Sequence, residues 1–310
     1  MSTFEPWASG LRFPEGPVAL PDGGILVVEI ARGTLTRIGA DGSHEPVADC
    51  GGGPNGAAPG PDGRIFICNN GGFEFEDSTG FLNAAACAET PSGRIQRVDI
   101  ETGEVESLYE ECDGRHLEAP NDLVFDDHGG FYFTDYGHWR GRVHKSGSIY
   151  YAAADGSSIR RVVESFPNPN GIALSPDGSR VYVASSMSGR LWWWNVDGPG
   201  ELSGGETFFG PGDANFLWAV DGNYHVDSIA VDSDGNVCCS HMLKGGIAVV
   251  GPAGDLVEFV AIPEDPFITN IAFGGEHLRT AYVTASGTGT VFRGTWARRG
   301  LRLNNDLAAA

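Results

Sequence analysis

Six stretches of the chain each open on a side chain that carries a carbonyl or carboxylate oxygen. Oxygen donors of this kind are the ligands that hard divalent cations prefer in proteins. Two of the six are acids, and two buried carboxylates brought close together would repel each other and shift their pKa values. A bound cation would remove that cost. The opening residues are Glu15, Asn55, Asn121, Asn170, Asp227 and Asn270.

A purely structural explanation competes with the cation site. Asn and Asp side chains also cap turns, and for any single opening residue that role is at least as good an explanation. It explains the whole set less well, because capping does not require an oxygen donor in all six stretches. Nor does it explain why two openings, Glu15 and Asp227, are acids where the others are amides.

The opening residues belong to a repeated phrase, in which a polar residue precedes an apolar run, a turn and a second apolar run. Successive openings lie about 51 residues apart on average, which is near the period of β-propeller blades. Asp-Gly turns separate four strand candidates in each copy; in the fourth copy these lie at 172–175, 180–185, 189–196 and, more weakly, 206–210. With 46 Gly and 18 Pro, the composition is typical of many short strands. The sequence therefore predicts an all-β, six-bladed β-propeller with four antiparallel strands per blade, formed as a single domain over residues 1–310.

A propeller places equivalent positions of its blades around one axis. Because each opening residue precedes the innermost strand of its blade, we expect all six to surround one mouth of the central channel. The ring must also close, either through the N-terminal segment pairing with the last blade or through the C-terminal segment completing it. The terminal NNDLAAA is expected to be disordered. The long segment at 69–92 is either a lid-like loop or an ordinary surface excursion. Two further insertions, at 137–147 and 210–225, are expected to help shape a pocket at one end of the propeller.

Composition excludes several partners. The chain has 41 acidic and 20 basic residues, a formal charge of −21, which argues against nucleic acid and anionic membranes. No stretch approaches the roughly 20 apolar residues of a membrane helix, and the first ten residues do not resemble a secretory signal. We expect a cytoplasmic protein that acts on a small molecule, with no obligate protein partner. The six cysteines lack a CxxC pair, so they are expected to be reduced core residues rather than zinc ligands.

Four phrases resemble the SMP-30/gluconolactonase/luciferin-regenerating-enzyme-like family of six-bladed propeller lactonases. They are PEGPVALPDG (14–23), APNDLVFDDHGGFYFTDYG (119–137), NPNGIALSPDGSRVYVASS (168–186) and HVDSIAVDSDGN (225–236). The resemblance implies that Glu15, Asn170 and Asp227 hold a single divalent metal, with Asn121 beside it contacting the substrate or metal-bound water. The oxygen ligands favour Ca²⁺, although Zn²⁺, Mg²⁺, Mn²⁺ and Fe²⁺ are compatible with them.

Further substrate contacts are expected around this set. Strand alternation would aim His225 toward the same mouth as Asp227, and Glu118 precedes the Asn121 strand. In the animal gluconolactonases an Arg stands two residues before the substrate-contacting Asn; here that position is Ala119, so polar contacts to a sugar must come from elsewhere. Candidates for an apolar pocket wall, each of which could instead pack between loops, are Phe73, Phe75, Trp139, Phe216 and Trp218.

The resemblance also implies a reaction. The metal would polarise the carbonyl of a lactone, and Asp227 would take a proton from the attacking water. In an alternative, the metal supplies hydroxide directly and Asp227 is only a ligand. A sugar aldonolactone such as gluconolactone is the first substrate expected. The same architecture allows two other hypotheses. The substrate could be a non-sugar lactone or ester, or the protein could be a non-catalytic propeller that binds a partner.

Overall fold

The fold is known from a computed structural model, which describes residues 3–78, 80–87, 93–140, 142–204 and 213–307. Within these ranges the chain is built from β-strands, with a short 3-10 turn at Glu276–Leu278. Six antiparallel sheets of at least four strands form the blades of a six-bladed β-propeller, which confirms the predicted fold class. Among the described residues, no helix is long and apolar enough to span a membrane.

The first three blades follow an initial strand, β1 (Phe4–Ser9). Blade 1 comprises β2 (Pro14–Ala19), β3 (Ile25–Glu29), β4 (Thr34–Ile38) and β5 (His44–Asp49). Blade 2 comprises β6 (Pro54–Pro59), β7 (Ile65–Asn69), β10 (Arg94–Val98) and β11 (Val105–Tyr109), with the hairpin of β8 (Phe73–Ser78) and β9 (Phe81–Cys87) inserted between β7 and β10. Blade 3 comprises β14 (Pro120–Phe125), β15 (Gly130–Asp135), β18 (Gly147–Ala153) and β19 (Ile159–Phe166). Two short hairpins flank its inner strands, β12 (Glu111–Cys112) with β13 (Arg115–His116), and β16 (His138–Arg140) with β17 (Val143–Lys145).

The last three blades complete the ring. Blade 4 comprises β20 (Pro169–Leu174), β21 (Arg180–Ser185), β22 (Arg190–Gly198) and β23 (Glu201–Ser203), and β24 (Asn215–Ala219) also pairs with β22. Blade 5 comprises β25 (His225–Val231), β26 (Val237–Met242), β27 (Gly246–Val250) and β28 (Leu256–Ala261). Blade 6 comprises β29 (Ile268–Gly274), β30 (Thr280–Ala285), β31 (Thr290–Thr295) and β1. The strand expected at 206–210 lies outside the described residues.

The core is divided into six layers, one between each pair of neighbouring blades. The two inner strands of a blade are covered on both faces, so they are continuously apolar or small, as in β14 and β21. Outer strands such as β5 are largely exposed. Adjacent cysteines separate between layers as alternation requires, since Cys238 packs between blades 5 and 6 and Cys239 between blades 4 and 5. The cysteine side chains that the structure describes are free and buried, as expected for core residues.

The ring closes through the N-terminal strand. β1 pairs antiparallel with β31, from Phe4 opposite Gly294 to Ser9 opposite Thr290, which confirms the first of the two closures expected. The C-terminal segment lies against the blades instead of hanging free. Asn304 Nδ2 donates to Phe125 O at 3.0 Å, and Leu307 packs against the core between blades 1 and 2. The expectation of a disordered tail is therefore wrong for residues 304–307; residues 308–310 lie outside the described part.

Candidate metal centre and substrate pocket

Every inner strand has an irregularity at its opening residue. The pairing of the innermost strand with its neighbour loses register there, and such a β-bulge re-aims a side chain out of the regular ladder. The bulge explains how residues at the start of six strands can all face the channel. The shifts lie between Glu15 and Val18, Pro54 and Ala57, Pro120 and Leu123, Pro169 and Ile172, Val226 and Ile229, and Ile268 and Asn270.

In three blades the residue after the opening is a glycine that lies where neighbouring inner strands crowd together. A Cβ added to Gly56 would lie 2.5 Å from Asn121 O, and one added to Gly171 would lie 2.4 Å from Ile229 N. Glycine is therefore required at these two positions for close packing around the axis. The third blade differs, because Asp122 occupies the corresponding position and brings a third carboxylate into the channel.

Five of the six opening residues line one cavity of about 180 Å³ at the mouth of the channel. The sixth, Asn270, lies behind it and donates from Nδ2 to Glu15 Oε2 at 2.8 Å. The cavity combines these polar groups with an apolar wall. Its opening residues are Glu15, Asn55, Asn121, Asn170 and Asp227, and the rest of its lining includes His225, Phe13, Phe73, Ala84, Trp139, Met187 and Met242.

The two acids of the cavity are in an unfavourable environment for negative charge. Burial raises the pKa of Glu15, although hydrogen bonds from Thr269, Asn270 and Gly16 oppose the rise. Burial and then the neighbouring Glu15 carboxylate raise the pKa of Asp227 well above its ordinary value, and a hydrogen bond from Asn170 lowers it. Two carboxylates held this way gain from a positive charge between them.

Two amide oxygens in the same cavity have no protein partner. Asn121 Oδ1 and Asn170 Oδ1 are both buried and accept no hydrogen bond. Because buried carbonyl oxygens are nearly always paired, two orphans beside two carboxylates fit a cation ligand set. Among the described residues, no group of three or more His, Cys, Asp or Glu is arranged to hold a metal. A cation in this cavity would therefore depend on the asparagine oxygens.

Asp122 is a channel residue that sequence reasoning missed. It borders a second cavity of about 100 Å³ on the other side of the bulges, which the C-terminal residues Leu301 and Leu303 help to enclose. Its Oδ1 accepts from Leu123 N at 2.9 Å. Burial, with a smaller contribution from the Glu15 carboxylate, raises the pKa of Asp122 to about 7. The available signal was an acid at a position where three other blades have glycine.

The remaining expected contacts are divided between the cavity and its surroundings. His225 lines the cavity. Glu118 does not; it borders a separate cavity of about 160 Å³, and its Oε1 accepts from Lys145 Nζ at 2.6 Å. Two of the five expected wall residues, Phe73 and Trp139, line the cavity. The other three lie elsewhere: Phe75 packs behind on Phe13, Phe216 is 51% exposed against Trp192, and Trp218 lies beside His241.

The described residues of the insertions at 69–92 and 137–147 form hairpins beside the mouth. β8–β9 brings Phe73 and Ala84 to the cavity, and β16–β17 brings Trp139. The two hairpins contact each other through β9 and β16. Leu82 N of the first hairpin also donates to Gly287 O of blade 6 at 2.9 Å. These contacts favour a lid over an ordinary surface excursion for the 69–92 segment, and they agree with a role in shaping the pocket for 137–147.

Two proteins with similar sequences are named as a lactonase and a gluconolactonase. A lactonase drp35 from Staphylococcus saprophyticus is 27% identical over 274 residues, covering 84% of this chain and 74% of the relative. A gluconolactonase from Zymomonas mobilis is 25% identical over 283 residues, covering 86% of this chain and 68% of the relative.

Solved structures share the propeller at lower sequence identity. A gluconolactonase from Xanthomonas campestris superposes with a TM-score of 0.74 at 20% identity, covering 95% of this chain and 89% of that one. A calcium-binding protein, regucalcin, from Agrobacterium tumefaciens superposes with a TM-score of 0.68 at 18% identity, covering 96% and 95%. The family model for the SMP-30/gluconolactonase/LRE-like region matches residues 13–287. This chain therefore belongs to the SMP-30/gluconolactonase/LRE-like family.

Proposed function

We propose that the protein hydrolyses lactones with one divalent cation held by Glu15, Asn170 and Asp227. The observation that carries the proposal is the meeting of the Glu15 and Asp227 carboxylates with the unpartnered Oδ1 atoms of Asn121 and Asn170 in one cavity. The names of the sequence relatives support the reaction class, since they are a lactonase and a gluconolactonase.

Each residue of the set has a distinct role in this proposal. A bound cation would polarise the lactone carbonyl and offset the negative charge that its oxygen gains. Asn121 orients the lactone above the ligands, and His225 contacts the substrate from β25. Asp227 takes the proton of the attacking water while the water oxygen bonds to the carbonyl carbon. The ring C–O bond then breaks, the departing oxygen takes up a proton, and a hydroxy acid is released. In the alternative mechanism Asp227 is a ligand only.

Ca²⁺ is the first cation to test. The donors are carboxylate and amide oxygens without a thiolate or a clustered set of histidines, which suits a hard cation. The calcium-binding description of a structural neighbour agrees with this choice. Mg²⁺, Mn²⁺, Fe²⁺ and Zn²⁺ also accept such donors and belong in the same experiment.

Two substrate classes are candidates. Sugar aldonolactones such as gluconolactone are supported by the gluconolactonase relative. Non-sugar lactones or esters are supported by Phe13, Phe73 and Trp139 in the wall of the cavity, and by Ala119 in place of a sugar-binding Arg.

The test is hydrolysis of glucono-δ-lactone and aliphatic lactones, followed with a pH indicator, by protein stripped with EDTA and reloaded with each metal. We expect the stripped protein to be inactive and one reloaded form to be active. Equal hydrolysis with and without metal would refute metal dependence. No hydrolysis of any lactone under any metal would instead favour a non-catalytic, partner-binding propeller.

A further inference from the structure

We propose that Trp139 is a specificity-determining residue, that the Glu118–Lys145 ion pair positions it over the cavity, and that the substrate is a lactone whose ring carries an apolar substituent. This inference rests on the proposed lactonase function. It assigns a role to Glu118, which lies outside the cavity, and to a hairpin that the fold itself does not need.

The cavity is lined by both polar and apolar side chains. Phe13, Phe73 and Trp139 come from three separate elements and meet at the same cavity as the oxygen ligands. An apolar substituent would lose its contact with water against this wall, which favours binding. A ring with a hydroxyl on every carbon would instead place hydroxyls against it without partners, which costs free energy. Ser186, a polar residue in the lining, already donates from Oγ to Val226 O at 2.6 Å.

Trp139 lies at the centre of a very short hairpin. It pairs with His144, between the pairs of His138 with Lys145 and Arg140 with Val143. Isolated two-stranded hairpins are marginally stable, so its geometry depends on contacts to the rest of the protein. The ion pair from Lys145 Nζ to Glu118 Oε1, at 2.6 Å, is one such contact. The Glu118 side chain is 25% exposed and the Lys145 side chain is 56% exposed, so the pair lies at the surface and is partly screened by solvent.

The base of the hairpin is fixed by Asp135, which is 2% exposed. Its carboxylate accepts from Glu118 N at 2.8 Å, Ala119 N at 2.8 Å and Gly137 N at 3.0 Å. Gly137 leads into the hairpin, and Ala119 leads into the strand that carries Asn121. One buried carboxylate therefore ties the Trp139 hairpin to the Asn121 strand, and the Glu118–Lys145 pair holds the far strand of the same hairpin.

The test compares kcat/KM of the metal-loaded protein for δ-nonalactone, unsubstituted δ-valerolactone and glucono-δ-lactone. We expect δ-nonalactone to exceed both others by at least about tenfold, the usual discrimination of an apolar pocket. Trp139→Ala should reduce the ratio of δ-nonalactone to δ-valerolactone by about tenfold, and Trp139→Phe should retain most of it. Lys145→Met and Glu118→Gln should reduce the same ratio through a higher KM for δ-nonalactone. Lys145→Arg, which keeps the positive charge, should retain the wild-type ratio.

Phe216→Ala is the matched control, since it removes an aromatic side chain that lies away from the cavity. It should keep the wild-type ratio. Thermal unfolding of every variant identifies any that fails to fold, and the Phe and Arg variants preserve the test in that case. A wild-type preference for glucono-δ-lactone, or a ratio that Trp139→Ala leaves intact, would overturn this inference while the lactonase function stands. Hydrolysis of none of the three lactones would overturn both.

Discussion

Asn270 Nδ2 donates to Glu15 Oε2 at 2.8 Å, a hydrogen bond that joins residues 255 positions apart. Gly16 N donates to the same oxygen at 2.9 Å. The inner strand of the last blade thus orients an acid of the first blade, and the orientation of a proposed metal ligand depends on ring closure. Residues that hydrogen-bond to a metal ligand in this way commonly influence the affinity of the metal site.

Removing this partner should weaken metal binding. Asn270→Ala leaves Glu15 Oε2 without its side-chain donor, and we expect the dissociation constant for Ca²⁺ to rise about 10- to 100-fold. Isothermal titration calorimetry on EDTA-stripped protein measures it. Asn304→Ala, which removes an amide from the opposite end of the channel, is the control and should bind like wild type. Unchanged affinity in Asn270→Ala would show that the hydrogen bond does not support a ligand.

Metal removal should lower stability. A ligand that binds only the folded protein stabilises it by about 2.7 kcal/mol at a hundred times its dissociation constant. Unfolding in urea should therefore shift to lower denaturant when EDTA replaces the metal. Glu15→Gln should abolish this shift, and its metal-free form should be more stable than metal-free wild type because the carboxylate that repels Asp227 and Asp122 is gone. A metal-induced shift that persists in Glu15→Gln would place the ion elsewhere.

Asp227→Asn separates the two roles proposed for Asp227. The substitution keeps an oxygen donor but removes the proton acceptor, so we expect hydrolysis to fall at least about a hundredfold. Metal occupancy, measured by elemental analysis after gel filtration, decides the reason. Full occupancy with lost activity supports the base, whereas activity restored simply by saturating metal would reduce Asp227 to a ligand.

The stability of the metal-free protein should depend on Asp122. Its pKa is raised from 3.8 to about 7 in the folded chain, so the unfolded chain releases this proton first as the pH rises. Stability is then lost between about pH 4 and pH 7, by at most about 4 kcal/mol. Asp122→Asn should remove this loss, being more stable than wild type at pH 8 and equal to it near pH 4. Urea unfolding in EDTA at the two pH values measures the difference.

The pKa of Asp177 is shifted in the opposite direction from that of Asp122, so Asp177 serves as the control. Hydroxyl donors from Ser175 and Ser179 lower its pKa to about 2, so its charged form stabilises the fold above pH 4 and that stability is lost as the pH falls toward 2. Asp177→Asn should therefore destabilise the protein at pH 8. If Asp122→Asn were also destabilising at pH 8, the buried carboxylate would be a stabilising partner and the expected sign would be wrong.

The propeller itself could be predicted because its determinants are local. Apolar runs and Asp-Gly turns repeat in each blade, and the opening residues mark the inner strands. The bulges that turn Glu15 or Asn121 toward the axis depend on pairing register, which a single strand does not specify. Asp122 was missed because a shift of one residue in the pairing register changes which cavity a side chain faces. Glu118 was expected in the cavity on sequence proximity to Asn121, but the three hydrogen bonds of Asp135 fix the backbone there in another direction.

Strand β1 is synthesised before its partner β31, which follows about 280 residues later in the chain. Until then β1 has no sheet to join, and blade 6 presents an unpaired edge of the kind that promotes aggregation. A nascent chain interrupted before β29 also lacks Asn270, so its Glu15 has no side-chain donor from the last blade. Under the proposed function, metal retention would distinguish finished molecules from truncated translation products. The truncated products would have an open ring and a metal ligand without its side-chain donor, and they would be exposed to proteases.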